Sequence, residues 1–314
     1  MSKFLLSFFE FLKLPEGRPI PFFGKYWRRF ILFCQNKLIR KVKLPKEPLN
    51  TKKRKEKVIA SLTSFPARIN CVEYAVKSLM LQSYKPDRIV LWLAKGQFEG
   101  VELPKGLLAL QEKGLEIKWC DEDLRGHKKY FYSIQEQKPD ELIVTFDDDL
   151  IYPSNCIKRL IKYHKRFPSA IIDNRGYEIT FNENGELNPH KKWKIMSRYA
   201  VKRPGALFQL STGVGCLYPY GVLHKDVCKA DLIKKHALSI DDLWMSVMAI
   251  LVDTKFVKTH YATKILTTVS NSQEFQLGVE NMRNPEGIDK HDTCISSLMQ
   301  EYPELKEKLS ISNK

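Results

Sequence analysis

Glu141-Leu142-Ile143-Val144-Thr145-Phe146-Asp147-Asp148-Asp149 is a mainly apolar run that ends abruptly in three carboxylates. Its length suits a strand buried on both faces, the kind found in parallel sheets. The pattern repeats upstream. Val58-Ile59-Ala60-Ser61-Leu62-Thr63 is a second such run, and Ser64 to Arg68 follow as a loop. Val72, Ala75, Val76, Leu79 and Met80 then fall on one helical stripe. Lys85-Pro86-Asp87 breaks that helix, and Arg88 to Leu93 form the next strand. Strand, helix and strand in this order imply a parallel pair joined by a right-handed crossover. Leu115 to Trp119 and a helix over Tyr130 to Gln137 continue the alternation into the quoted run. The expected fold is therefore α/β, a mostly parallel sheet flanked by helices. Such sheets bind ligands beyond the carboxyl ends of their strands, which puts residues 63–68 and Asp147 to Asp149 on one rim.

Three adjacent carboxylates repel one another unless a cation or hydrogen-bond donors compensate them. Oxygen ligands of this kind suit Mg²⁺ or Mn²⁺, with a substrate diphosphate completing the shell. The plainer explanation is a cap for a helix beginning near Tyr152-Pro153-Ser154, but a cap needs one acid and not three.

The chain has 314 residues and a formal charge of +16. The charge is segregated: residues 1–57 hold 16 Lys/Arg against 4 Asp/Glu, and the remainder 36 against 32. A nearly neutral body argues against a nucleic-acid partner. Residues 1–57 read as a basic amphipathic arm and linker, and residues 58–314 as the body. Phe4 to Leu14, and Tyr26-Trp27-Arg28-Arg29-Phe30-Ile31-Leu32-Phe33, mix bulky apolar residues with cations. Residues 1–45 are thus expected to make peripheral contact with a membrane, the alternative being that they pack on the body itself. No run is long enough to span a bilayer, and no cleavable leader is evident. Seven scattered cysteines without paired spacing fit a reducing compartment. The expected location is cytoplasmic, on the inner face of the cytoplasmic membrane.

Four segments taken together resemble the motifs of bacterial family-2-like glycosyltransferases of the GT-A fold, the capsule and lipopolysaccharide type. They are Leu62 to Arg68, Tyr84-Lys85-Pro86-Asp87-Arg88-Ile89-Val90-Leu91-Trp92, Asp147 to Pro153, and Asp241-Asp242-Leu243-Trp244. The resemblance covers residues 57 to about 300. It implies a nucleotide-sugar half, residues 58–155, and an acceptor half, residues 156–314. It assigns Asp147 and Asp149 to metal and ribose, with Asp148 able to replace either, and Mn²⁺ or Mg²⁺ as the cofactor. Thr63, Ser64 and Arg68 would border the nucleotide, and Lys128 and Lys129 would balance diphosphate charge. His291 would be a late metal ligand, the alternative being an exposed histidine near a helix cap. Asp242, with Asp241 beside it, would be the base that deprotonates the acceptor. The implied reaction is inverting transfer of a sugar from a nucleotide-sugar donor to a hydroxyl of a glycan or lipid-linked glycan.

Three readings compete, one of them a sugar nucleotidyltransferase on a similar sheet, whose expected glycine-rich, lysine-containing N-terminal loop is missing here. Ile143 to Ile151 also resembles the nucleophile strand of haloacid-dehalogenase-like sugar phosphatases, although that fold opens with this strand and here about 90 residues of strand–helix repeats precede it within the body. A non-enzymatic, basic-armed binding protein would be indifferent to Asp149 and strongly sensitive to salt.

Overall fold

The computed structural model describes residues 2–13, 22–195, 204–259, 266–272 and 289–311. Two helices come first, α1 (Ser2–Phe11) and α2 (Phe22–Lys41). The body begins with β1 (Lys57–Thr63), α3 (Ile69–Met80), β2 (Arg88–Ala94), α4 (Lys105–Gln111), β3 (Leu115–Cys120), α5 (Lys128–Gln135) and β4 (Glu141–Phe146). β1 lies between β2 and β4, and β2 pairs with β3, all in parallel. β4 is buried at all six positions, as an apolar strand covered on both faces must be. The stripe of α3 packs Val72, Ala75, Val76 and Leu79 into the core that holds Val58, Ala60 and Leu62. Because these strands run the same way, the loops after β1, β3 and β4 meet at one edge.

The chain continues through β5 (Leu150–Ile151), α6 (Cys156–His164), β6 (Ile171–Asp173), β7 (Gly176–Glu178), β8 (Lys194–Ile195), β9 (Phe208–Leu210) and β10 (Val214–Tyr218). It ends with α7 (Ala230–His236), α8 (Asp241–Ile250), β11 (Phe256–Lys258), β12 (Thr267–Thr268), α9 (Lys290–Glu301) and α10 (Glu304–Ile311). The central sheet has seven strands in the order β11-β6-β10-β4-β1-β2-β3. Its one reversed member is β10, antiparallel to both β4 and β6. The α/β, mostly parallel expectation is borne out. A second core forms around α8, buried from Leu243 to Ile250, and is closed by Cys294, Ile295 and Leu298 of α9.

β10 enters the sheet through a bulge between Val214 and Cys216. Gly215 takes φ +90°, a left-handed conformation that favours glycine. Such a bulge bends the strand locally and re-aims the residues before it. Here those residues, 211–213, are turned against the end of β4.

The arm lies on the body. Ile39 and Val42 are buried with Cys71, Leu81, Ile151 and Val269. Residues 44–56 are pinned as well: Asn50 Nδ2 donates to Asp87 at 2.7 Å, and the Arg54 guanidinium covers the Tyr84 ring. Among the described residues, no helix is long and apolar enough to cross a membrane.

Candidate active site

The three strand-end aspartates diverge. Asp148 is buried and spoken for: it accepts from the Ser64 hydroxyl and, at 3.0 Å, from Arg68 Nη1. The same Arg68 nitrogen lies 3.2 Å from Asp149 Oδ2. Asp147 turns the other way, and its Oδ1 accepts from Lys129 Nζ at 2.8 Å. Its backbone N–H donates to the Gly213 carbonyl at 3.0 Å, which also accepts from the Tyr152 hydroxyl at 2.6 Å. A Cβ on Gly213 would stand 1.7 Å from Asp147 Oδ2, so a side chain there would displace the Asp147 carboxylate.

Lys129 links this cluster to the second pair of acids. Its Nζ is 2.8 Å from Asp147 and 2.8 Å from Asp241 at the start of α8. Burial opposes the charge on Lys129, but Asp147, Asp241 and Asp242 outweigh it and raise its pKa. Thr212 holds the other side of the pair. Its N–H donates to Asp242 Oδ1 at 2.7 Å, and its hydroxyl lies within reach of both Asp241 and Asp242. The two acids are pushed apart. Burial would raise Asp241, yet Lys129 holds it well below the usual carboxylate range. Asp242 is raised by burial and then by the charge of Asp241. Opposite shifts in neighbouring acids are the usual mark of divided acid–base labour.

Asp173, at the end of β6, fixes the backbone of this loop. Its carboxylate accepts from Ser211 N at 2.7 Å and Arg175 N at 3.0 Å. Burial nevertheless pushes it up to about 8. A carboxyl group raised on folding binds its proton more tightly in the native state, so stability falls as pH rises from its unfolded value, about 4, through about 8. Asp173→Asn, which mimics the protonated acid, is expected to flatten that decline. Thermal melts across this pH range check it: an unchanged slope means Asp173 does not carry the effect.

Two cavities meet over these residues. The larger, about 490 Å³, is lined by Asp147, Asp149, Arg175, Tyr177, Ser211, Asp241 and Asp242, among others. The smaller, about 290 Å³, is lined by Thr63, Ser64, Phe65, Gln97, Asp123, Lys128 and Asp148. Arg68, Arg125, Gly126, Lys129 and Asp147 border both. The structure thus gathers Thr63, Ser64, Arg68, Lys128, Lys129, Asp147 to Asp149, Asp241 and Asp242 around one cleft. Lys128 Nζ is already engaged by Asp123 and Gln97.

Arg125 and Arg175 were not singled out in the sequence. Arg125 stands at the junction of the cavities with φ +50°, and its guanidinium donates to Ser239 at 2.9 Å. A non-glycine residue held in that region costs roughly 1–3 kcal/mol. The available signal was its place before Gly126 in the loop after the third strand.

The donor set fits a hard divalent cation. Arg68 bridges Asp148 and Asp149, and Lys129 bridges Asp147 and Asp241. Each of these two cations is shared between two carboxylates, and Arg125 and Arg175 line the same cavity. Burial, and then the charge of Asp147, raise Asp149. Asp147, 40% exposed at its side chain, and Asp149 share the larger cavity and would be the ligands.

His291 is not among the cleft-lining residues. It stacks on His190 with ring centroids 3.7 Å apart and planes at 4°. Asp289 accepts from or faces both rings, at 2.9 Å from His291 Nδ1 and 3.4 Å from His190 Nδ1. The three ligand atoms lie within 4.8 Å of one another. Stacked rings keep their nitrogen lone pairs in separate parallel planes, which suits a helix-start anchor better than one shared ion.

No family model matches this chain, and no curated protein matches it. Among solved structures it is similar to a 4-diphosphocytidyl-2C-methyl-D-erythritol synthase from Anaerococcus prevotii, at 11% identity and TM-score 0.42, over 68% of this chain and 94% of that one. A second synthase of that name matches at 14% and 0.42, over 71% and 96%. A mannosyltransferase from Pyrobaculum calidifontis, in complex with GDP-Man and Mn²⁺, matches at 9% and 0.40, over 99% and 86%. Likenesses this distant carry no argument about activity, and the cleft's own residues must supply it.

Proposed function

We propose that this chain is a metal-dependent glycosyltransferase of the GT-A type that moves a sugar from a nucleotide-sugar to a hydroxyl of a cell-surface glycan, with inversion. One observation carries the reading: a two-chambered cleft has Asp147, Asp149, Asp241 and Asp242 lining its larger chamber and Arg68, Arg125 and Lys129 where its chambers join. The smaller chamber, with Phe65 and Thr63, takes the nucleoside, and the larger takes the sugar and acceptor. Asp147 and Asp149 would hold Mn²⁺ or Mg²⁺, which supplies charge compensation for a leaving diphosphate.

The chain's own groups do the rest. Asp242 takes the proton of the acceptor hydroxyl as its oxygen bonds to the anomeric carbon. The bond from that carbon to the diphosphate oxygen breaks, and nucleoside diphosphate leaves. Lys129 keeps Asp241 ionised, and Thr212 aims Asp242. Arg125 lies against the position where negative charge grows on the leaving group, the place where fixed charges stabilise a transition state most.

The test is a panel of nucleotide-sugars with Mn²⁺, read by thermal protection and donor hydrolysis. One donor is expected to protect, and Arg125→Gly is expected to weaken it at least about tenfold. Since glycine relieves the left-handed backbone, that variant should melt no lower than wild type. Absence of protection by any donor would defeat the proposal. Protection unaltered in Arg125→Gly would remove Arg125 from the site.

A further inference from the structure

The two faces of α2 are built for different neighbours. On one face Ile31, Gln35 and Ile39 are buried, and Asn36 beside them is tied to the body on both sides of its amide. Its Nδ2 donates to the Thr268 carbonyl at 3.0 Å, and its Oδ1 accepts from Ser270 N at 2.7 Å. Thr267 Oγ1 donates to Gln35 at 2.6 Å. These polar contacts fix the orientation of the helix, so its opposite face is held outward by the fold.

That outward face carries Trp27, Phe30 and Phe33, which are 40%, 51% and 59% exposed, joined by Phe8 of α1 at 47%. Phe30 makes ring contacts with Trp27 and with Phe9, so the two helices present a single aromatic surface. Exposed aromatics clustered in this way mark a contact surface. The charge around them selects the contact. α2 contains Lys25, Arg28, Arg29, Lys37, Arg40 and Lys41 and no acid, and all six cations are exposed. A second copy of the same face would set cation against cation. An anionic, apolar-backed surface is the complement.

We propose that the α1–α2 face docks on a bilayer of anionic lipid. Its aromatics enter the headgroup layer and its cations meet lipid phosphate. The anchoring ribbon gives the docking a consequence. Thr268, held by Asn36, and Leu150, its strand partner, both line the larger cavity. The acceptor chamber therefore stands beside the membrane-facing helices, which suits an acceptor whose glycan is carried on a lipid. That last step rests on the glycosyl-transfer reading, whereas the docking does not.

The experiment is co-sedimentation of the full chain, without nucleotide, with phosphatidylcholine vesicles made with and without phosphatidylglycerol. Binding to the anionic vesicles, weakening with salt, is expected. Arg28→Glu/Arg29→Glu should lower it at least about tenfold, each cation near such a surface being worth about 1 kcal/mol. Phe33→Ser should also lower it, with an unchanged melting temperature because that ring is 59% exposed. If wild type stays in the supernatant with both vesicles, the proposal is wrong. It is equally wrong if wild type sediments as a dimer in solution and the phenylalanine variant as a monomer. Vesicle binding by a chain that transfers no sugar would leave the docking standing and remove only the catalytic reading.

Discussion

Asp242→Asn is expected to keep donor binding near the wild-type value and to lower sugar transfer by about 10²–10⁴-fold, the usual worth of a positioned general base. Asparagine retains an oxygen for the Thr212 N–H and hydroxyl, so the loop at residues 211–213 should stay in place. What disappears is the capacity to accept a proton. The choice of Asp242 over Asp241 rests on electrostatics. Asp241 is held in its charged form by Lys129 at 2.8 Å, which makes it a poor proton acceptor. Asp242, raised by burial and by its neighbour, is the better one near neutral pH. Transfer by wild type should therefore fall on acidification as Asp242 becomes protonated. Single-turnover rates with a donor found by the nucleotide-sugar panel decide the matter. Full transfer by Asp242→Asn together with none by Asp241→Asn would move the base to Asp241.

Lys129→Met should be the most destabilising single change in the cleft, by about 3–5 kcal/mol, the usual penalty for removing one partner of a buried ion pair. Lys129 is only 4% exposed, and its loss leaves Asp147 and Asp241 facing each other with nothing between them. The sign of the pH dependence follows from Asp241. Its carboxyl is depressed in the folded protein, so its contribution is present above the unfolded value, about 3.9, and is lost as pH falls through the folded one. The variant lacks that contribution. Its melting temperature should lie several degrees below wild type at neutral pH, with the gap narrowing in acid. Differential scanning calorimetry at neutral and acidic pH measures both. A gap that is absent, or constant with pH, would show that Lys129 is not the counter-ion of these acids.

Much of the fold could be read from local pattern. Apolar runs of strand length separated by a helical stripe gave β1, α3, β2, β3 and β4 their places, because burial on both faces leaves a direct trace in composition. The rim could be read for the same reason, since parallel strands carry their following loops to one edge. The reversed insertion of β10 left no such trace: strand direction depends on where residues 174–213 carry the chain. The separate fates of Asp147, Asp148 and Asp149 were equally hidden. Three identical residues in a row say nothing of which partner each finds, and Ser64, Arg68 and Lys129 come from other elements. Arg125 was missed because its importance lies in a backbone angle and in the meeting of two chambers. His291 found its partner in His190, a residue some 100 positions away. The arm was legible as amphipathic, but Asn36 and Gln35, which decide which side faces outward, look like ordinary polar residues in the sequence.

The reversed strand bears on how the protein can be made. While β10 is missing, β4 has β1 on one flank and a bare row of amide and carbonyl groups on the other. A nascent chain that has emerged only as far as residue 213 therefore exposes an apolar, ready-made template for pairing with other chains.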